Sequence, residues 1–289
     1  MKGIRSYTTS TAFRRALEDR LNVASRNERV DLQRFRKEVA FDRFLARLFH
    51  SEFPRWVLKG GYAMELRIKE ARSTKDIDLA LRETLSQKKG LSQNMAILAN
   101  LRQSVQKDLN DFFTFFVGEP THELEAAPYG GARFPIEAQM EGRIFVRFHV
   151  DIAIGDVIIE PLDITKGRDW LAFAGIKPHP FQTISIEQQF AEKIHAYTLP
   201  RPRTNTRVRD LVDLLLLLRN KNMRQDKTAS AIRTVFYRRK THPIPFALMA
   251  PPPEWESPFA HLMKECGLRE SMEEVFMIVA QSYSGLALR

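Results

Sequence analysis

Between Leu32 and Phe49 the apolar residues Leu32, Phe35, Val39, Phe41, Phe44, Leu45 and Leu48 recur at helical spacing, with Arg and Lys between them. That pattern predicts a helix with one buried side. Thr11 to Arg20 predicts another before it, and Pro54 ends the helical stretch. The period then shortens. Arg55 to Leu58 reads as a short strand, Lys59-Gly60-Gly61 as a turn, Tyr62 to Lys69 as a short helix and Asp76 to Leu81 as an alternating strand. Ser92 is placed to cap a helix running to Asp111. Phe112 to Val117, Arg133 to Gln139, Arg143 to Ile154 and Val157 to Leu162 predict further strands.

After Thr165 the strand pattern gives way to helices. Lys177-Pro178-His179-Pro180 predicts a turn-rich connector. Ser185 and Gln188 have capping-box spacing at the head of a helix reaching Leu199. Pro200 to Asn205 predicts a stiff basic linker. Arg207 to Arg219, Lys227 to Arg239 and Arg269 to Leu286 predict helices, with an irregular Pro-rich stretch from Pro243 to Pro258. The expected architecture is α+β: N-terminal helices and a mixed-sheet core over 1–165, then a helical domain over 166–289.

Composition narrows the setting. At 289 residues and 44% hydrophobic the chain can fill two modest cores. The lone Cys266 excludes an intramolecular disulfide and a Cys-rich zinc site, and points to a reducing compartment. Met1 to Arg5 lacks the apolar run of a signal peptide, and the longest aliphatic run, Leu214 to Leu218, is far too short to span a bilayer. A cytoplasmic protein with no membrane partner is expected. The net charge of +10 is concentrated: residues 201–240 hold twelve Lys/Arg against three Asp, and residues 1–50 hold twelve against six acids. Such concentration attracts polyanions by counterion release, which favours nucleic acid over the alternative of two solvated basic helix faces.

Candidate chemistry gathers at Lys59-Gly60-Gly61 and Arg72-Ser73-Thr74-Lys75-Asp76-Ile77-Asp78-Leu79. On a strand, Asp76 and Asp78 project to one side while Ile77 and Leu79 enter the core. Adjacent carboxylates repel unless a cation lies between them, and Mg²⁺ (or Mn²⁺) suits a short carboxylate set completed by water and phosphate. Gly60 and Gly61, between a strand and a helix, let a phosphate approach backbone N–H groups. Lys59, Arg72 and Thr74 of the same stretches are further candidates for contact with a nucleoside triphosphate. A third metal-binding acid is expected, and Asp151 is the candidate, since Arg147, His149 and Asp151 share the polar side of the Phe145–Ile152 strand. The bland alternative there is the solvated face of an edge strand. Asp156 reads as a turn residue and His149 as a hydrogen-bonded strand histidine.

These stretches resemble the AbiEii/AbiGii toxins, nucleotidyltransferase-fold proteins of type IV toxin–antitoxin systems that include MenT-type toxins. The resemblance continues in Ala191-Glu192-Lys193-Ile194-His195-Ala196-Tyr197, in Arg209-Asp210-Leu211-Val212-Asp213-Leu214, and in Arg239, His242-Pro243-Ile244-Pro245 and Pro252-Pro253-Glu254-Trp255. It covers about 54–260. It implies a polymerase-β-like catalytic half, with Asp76 and Asp78 as the metal pair, Asp151 as the third acid and Gly60-Gly61 as the triphosphate loop, where Gly-Ser is also common. It further implies active-site roles for Lys193 and Asp210, a cognate antitoxin, and transfer of nucleotides to the tRNA 3′ acceptor end.

The later residues also have a reading of their own. Lys193 borders the apolar side of its helix, where a cation could stabilise phosphoryl charge; its alternative is a surface lysine. Asp210 and Asp213 share a helix face, and Asp213 enters an apolar run, so it must be paired. We read Asp210 as active-site support and Asp213 as structural. Arg201, Arg203, Arg207, Arg238, Arg239 and Lys240 are candidates for gripping an RNA backbone, with Phe236 and Tyr237 as stacking or core aromatics. Ser73 and Thr74 adjoin the metal pair, where an added phosphate would repel it. The rival readings are transfer to a small molecule or a protein hydroxyl, and a non-catalytic NTP- or RNA-binding module.

Overall fold

The computed structural model describes residues 7–82, 92–123, 128–201, 207–220 and 222–288; Arg203 and the linker positions 202–206 lie outside them. The chain forms two compact units: 1–66, 73–155 and 164–183 make the first, and 67–72, 156–163 and 184–289 the second.

In the first unit, α1 (Ser10–Glu28) and α2 (Leu32–Leu48) are followed by β1 (Trp56–Lys59), α3 (Gly60–Arg67), β2 (Asp76–Leu81) and α4 (Gln93–Val105). Then come β3 (Thr114–Val117), β4 (His122–Glu123), β5 (Gly131–Met140), β6 (Arg143–Ala153), β7 (Asp163–Lys166) and β8 (Pro180–Thr183). The strands form one mixed sheet in the order β3-β5-β6-β2-β1-β8-β7, with β4 also on β5. β2 runs parallel to β6 and antiparallel to β1. Apolar residues of alternate strand positions, among them Ile77, Leu79, Phe134, Val150 and Ile152, are buried with Phe35, Phe41, Phe44 and Leu45 of α2. The alternation buries one side of the central strands and leaves the other polar.

The sequence placed several boundaries differently. α1 runs on to Glu28 and stops where Arg29 turns left-handed at φ 56°. α4 ends at Val105, because the Asp108 carboxylate takes the Asn110 N–H at 2.8 Å and Asn110 and Phe112 adopt φ of 53° and 60°. Asp111 beyond it is buried against Arg47 at 2.8 Å and Arg43 at 2.6 Å, and their guanidiniums overcome the burial penalty to hold its carboxyl below the usual range. The expected strand over Val157–Leu162 does not form; β7 begins at Asp163 instead. Pro161 has no N–H to give a ladder, and the buried Gln188 side chain takes the Ile159 N–H at 2.9 Å and donates to the Val157 carbonyl at 2.7 Å. The connector at 177–180 leads directly into β8, which pairs parallel with β1.

The second unit holds α5 (Ile186–Thr198), α6 (Val208–Leu218), α7 (Gln225–Arg239), α8 (Glu256–Glu265) and α9 (Met272–Ser284). Ser185 caps α5 through the Gln188 N–H, while the Gln188 side chain serves the 157–159 backbone rather than closing a capping box. A complete capping box forms instead at Ser271 and Glu274. The Pro-rich stretch is shorter than expected, since α8 starts at Glu256. Among the described residues, no helix is long and apolar enough to cross a membrane.

Candidate active site

β2, β6 and β5 place their polar residues in rows across the open side of the sheet. In one row Asp78 lies beside Asp151, which lies opposite Arg133; in the next, Asp76 lies beside His149, which lies opposite Pro135. The intervening Ile77, Val150 and Phe134 point into the core and are at most 0% exposed. Period-two geometry therefore brings Asp76, Asp78 and Asp151 to one surface, from strands separated by some seventy residues of chain. Asp151 belongs to a strand paired on both sides, not to an edge.

The carboxylates have a cation among them already. Arg133 grips Asp151 through two hydrogen bonds, Nε to Oδ1 and Nη2 to Oδ2, both 2.7 Å, and Nη2 reaches Asp76 Oδ2 at 3.4 Å. Its pKa is raised, first by its hydrogen bonds to Asp151 and then by the surrounding negative charge of Asp151, Asp76 and Asp78. His149 Nδ1 stands 3.4 Å from Asp76 Oδ1. Sequence reasoning placed Arg133 at the head of a strand and gave it no role. Arg133 shares the polar side of its strand with Glu137, but that it faces Asp151 follows only from the β5–β6 register.

The glycine turn abuts the same acids. Gly60 has φ 65°, and a Cβ on it would fall 2.0 Å from Asp78 Oδ2. The Gly61 N–H donates to Asp78 Oδ2 at 3.3 Å, and a Cβ on Gly61 would lie 2.6 Å from Thr74 Oγ1. Both positions thus need glycine, Gly60 for its backbone and both for the close approach. Lys59 sits opposite Asp78 in the β1–β2 register. The loop before Asp76 is fixed by Thr74, whose N–H donates to Glu65 at 3.1 Å and whose hydroxyl donates to the Asp76 carbonyl at 3.2 Å. Glu65 is itself held by Arg34 at 2.7 Å. Sequence reasoning missed Glu65, which lies one helix away from the motif it braces.

Among the described residues, no group of three or more His, Cys, Asp or Glu stands ready-made around a metal position. The donor set nonetheless fits a divalent cation. Three carboxylates share a face, two of them already turn oxygens toward one guanidinium, and the hard oxygen donors match Mg²⁺ or Mn²⁺. Arg133 supplies positive charge where such an ion would supply more.

The second unit contains a different cluster. Lys193 of α5 donates to Asp210 at 2.8 Å and to Asp213 at 2.7 Å. Arg72 clasps Asp213 through Nε at 3.1 Å and Nη2 at 3.0 Å, and Arg207 pairs with Asp210. Burial works against the Lys193 ammonium, but the charges of Asp210 and Asp213 hold its pKa well above normal. Burial likewise opposes ionisation of Asp213, and Lys193 and Arg72 keep its pKa low. Of the basic candidates, Arg201 and Arg238 are exposed, and Lys240 lies 5.2 Å from the exposed Tyr237 ring. Arg239 is half-buried and pairs with Asp156 at 3.0 Å, so Asp156 is an ion-pair partner rather than a bare turn residue. Phe236 is buried against His195. The His242–Pro245 stretch anchors structure: His242 Nε2 meets the Thr198 hydroxyl at 2.8 Å, and Tyr283 donates to the Pro245 carbonyl at 2.7 Å.

A mixed sheet presenting an acidic pair beside a glycine turn, with a third acid on the neighbouring strand, is the pattern of a nucleotidyltransferase. The match is specific: this chain belongs to the AbiEii nucleotidyl transferase toxins of type IV toxin–antitoxin systems, whose family model spans residues 43–275. A Helicobacter pylori protein provisionally assigned as a nucleotidyltransferase shares the fold, with a TM-score of 0.50 and 13% identity over 88% of this chain and 96% of that one. JHP933 of Helicobacter pylori is similar at a TM-score of 0.48 and 14% identity, covering 88% and 93% of the two chains. The MenT4 nucleotidyltransferase toxin of Mycobacterium tuberculosis is similar at 0.46 and 13% identity, covering 84% and 91%. No curated protein sequence matches this chain.

Proposed function

We propose that this chain transfers a nucleotide from an NTP to the 3′-hydroxyl of an RNA, the tRNA acceptor end, using Mg²⁺ or Mn²⁺, and so inhibits translation in the cytoplasm unless a cognate antitoxin restrains it. The observation that carries the reading is the register that sets Asp76, Asp78 and Asp151 side by side on the open face, against the Gly60–Gly61 turn. Asp76, Asp78 and Asp151 would hold the divalent ion, which supplies charge to align and polarise the α-phosphate.

The remaining chemistry belongs to the chain. Gly60 and Gly61, at the head of α3, are assigned to the triphosphate through their backbone N–H groups, that of Gly61 resting on Asp78 Oδ2 until the nucleotide arrives. Lys59 and Thr74 are the side chains assigned to the nucleotide around that turn; Arg72, a further candidate, is engaged with Asp213. The acceptor oxygen attacks the α-phosphorus, forming the new O–P bond. The bond from that phosphorus to the β-bridging oxygen breaks, and pyrophosphate leaves with the electron pair. The hydroxyl proton passes to a carboxylate oxygen of Asp151 once Arg133 has released it. Lys193, oriented by Asp210 and Asp213, is assigned to phosphate charge and Asp210 to its support, as in the family. The exposed Arg201 and Arg238, with Lys240, support RNA as the acceptor.

The test is incubation with each labelled NTP and total RNA. Label on the 3′ end of tRNA is expected, with none from Asp76→Ala. Label on protein or on a small molecule would replace the acceptor, and binding without transfer would replace catalysis.

A further inference from the structure

Beyond Asp76 the open face of the sheet continues into a groove of about 670 Å³ within the first unit. Its floor is formed by Phe116 and Pro135, and Lys37, Lys75 and Arg147 stand around it with Asp76 at its inner end. The rows explain the arrangement: Phe116 lies opposite Glu137, Glu137 opposite Arg147, and Pro135 opposite His149. Phe116 is 53% exposed although its neighbours Phe115 and Val117 are buried. The half-buried Pro135 ring lies beside Gly118, whose N–H donates to the Pro135 carbonyl at 2.9 Å and on which a Cβ would come within 2.7 Å of Pro135 Cγ and crowd the ring. Two apolar rings therefore adjoin a rim with an excess of positive charge, since among the described residues Arg147 pairs with Glu137 at 2.6 Å while Lys37 and Lys75 form no ion pair.

A lone exposed aromatic is ordinary. Here it is paired with a half-buried proline ring, bordered by cations and open to Asp76. Aromatic rings and cations together are what a single-stranded nucleic acid needs, one for the base and the other for the backbone. The volume is in the range that holds one small ligand, on the order of 300–1,000 Å³.

The groove and the glycine turn lie on opposite flanks of the carboxylates: the turn touches Asp78, and the groove touches Asp76. In-line displacement puts the entering oxygen and the departing pyrophosphate on opposite sides of the α-phosphorus. With the triphosphate at the turn, the entering hydroxyl comes from the groove. We propose that this groove receives the 3′-terminal nucleoside of the acceptor strand, its base against Phe116 and Pro135 and its phosphate beside Lys37 and Lys75. The inference rests on the nucleotidyl-transfer reading and adds the seat of the acceptor.

The experiment measures anisotropy of a 5′-fluorescein RNA octamer with a free 3′-hydroxyl on the full chain, in wild type, Phe116→Ala and Phe116→Trp. Phe116→Ala is expected to weaken binding about tenfold, and Phe116→Trp to restore it. In transfer assays Phe116→Ala should raise KM for RNA by the same factor and leave KM for NTP unchanged. An octamer ending in 4-thiouridine should crosslink to the peptide containing Phe116 or Pro135. Unchanged RNA binding by Phe116→Ala, a rise confined to the NTP KM, or a crosslink to another segment would overturn the groove assignment while leaving nucleotide transfer standing. Wild-type protein that neither binds the RNA nor labels it would remove the transfer reading itself.

Discussion

Asp76, Asp78 and Asp151 stand on a half-open sheet face with one guanidinium among them, whereas Asp210 and Asp213 are almost fully buried and each is held by two cations. In the first group Arg133 pairs with Asp151 and Asp76. The second sets Lys193, Arg72 and Arg207 against two acids. Acids on a half-open face can exchange a guanidinium for a metal ion; acids paired with cations in a low-dielectric interior have their geometry fixed. The difference teaches where ligand-dependent chemistry can occur and where carboxylates serve to orient a neighbour.

The contrast can be broken by mutation. Asp76→Ala should lower the rate of nucleotide transfer by on the order of a thousandfold or more while thermal unfolding stays close to wild type. Asp213→Ala should do the reverse in stability, costing about 3–5 kcal/mol by leaving Arg72 without its acid and Lys193 with Asp210 alone, as read by denaturant unfolding. If Asp76→Ala unfolds the protein and Asp213→Ala does not, the two clusters have been assigned the wrong way round. Gly60→Ala should cost a smaller about 1–2 kcal/mol from its left-handed backbone, and should disturb Asp78 enough to weaken metal binding, measured by calorimetry.

A subtler effect concerns the packed acids under α3. Tyr62 donates to Asp42 at 2.5 Å, and burial pushes Asp42 up to about 8 and Glu38 up to about 7. A carboxyl whose folded pKa is raised favours folding below its unfolded value of 3.8 and loses that contribution as pH climbs toward about 8. Melting temperature should therefore fall between those pH values, and Asp42→Asn should flatten the slope. An unaltered slope in Asp42→Asn would place the titration elsewhere.

Much of the active face was legible because strand period is rigid. Asp76-x-Asp78 and the alternation around Asp151 fix which residues share a surface, whatever the register. The register itself was not legible, so Arg133 and the Phe116 groove emerged only when β5 was seen opposite β6 and β3 opposite β5. Glu65 was hidden for a similar reason: it braces Thr74 across a turn, with no periodic signal. Val157–Leu162 misled because a short β-prone apolar run says nothing of a buried Gln188 competing for the backbone. The basic window misled in part because charge counts do not distinguish an exposed Arg238 from an Arg239 tied to Asp156.

The sharpest measurement is a Mn²⁺ titration followed by electron paramagnetic resonance on wild type, Asp76→Asn and Arg133→Met. Wild type should bind Mn²⁺, Asp76→Asn should bind it at least about tenfold more weakly, and Arg133→Met, freed of its internal cation, about tenfold more tightly. Equal Mn²⁺ binding by wild type and Asp76→Asn would contradict the assignment of this face as the divalent-ion site.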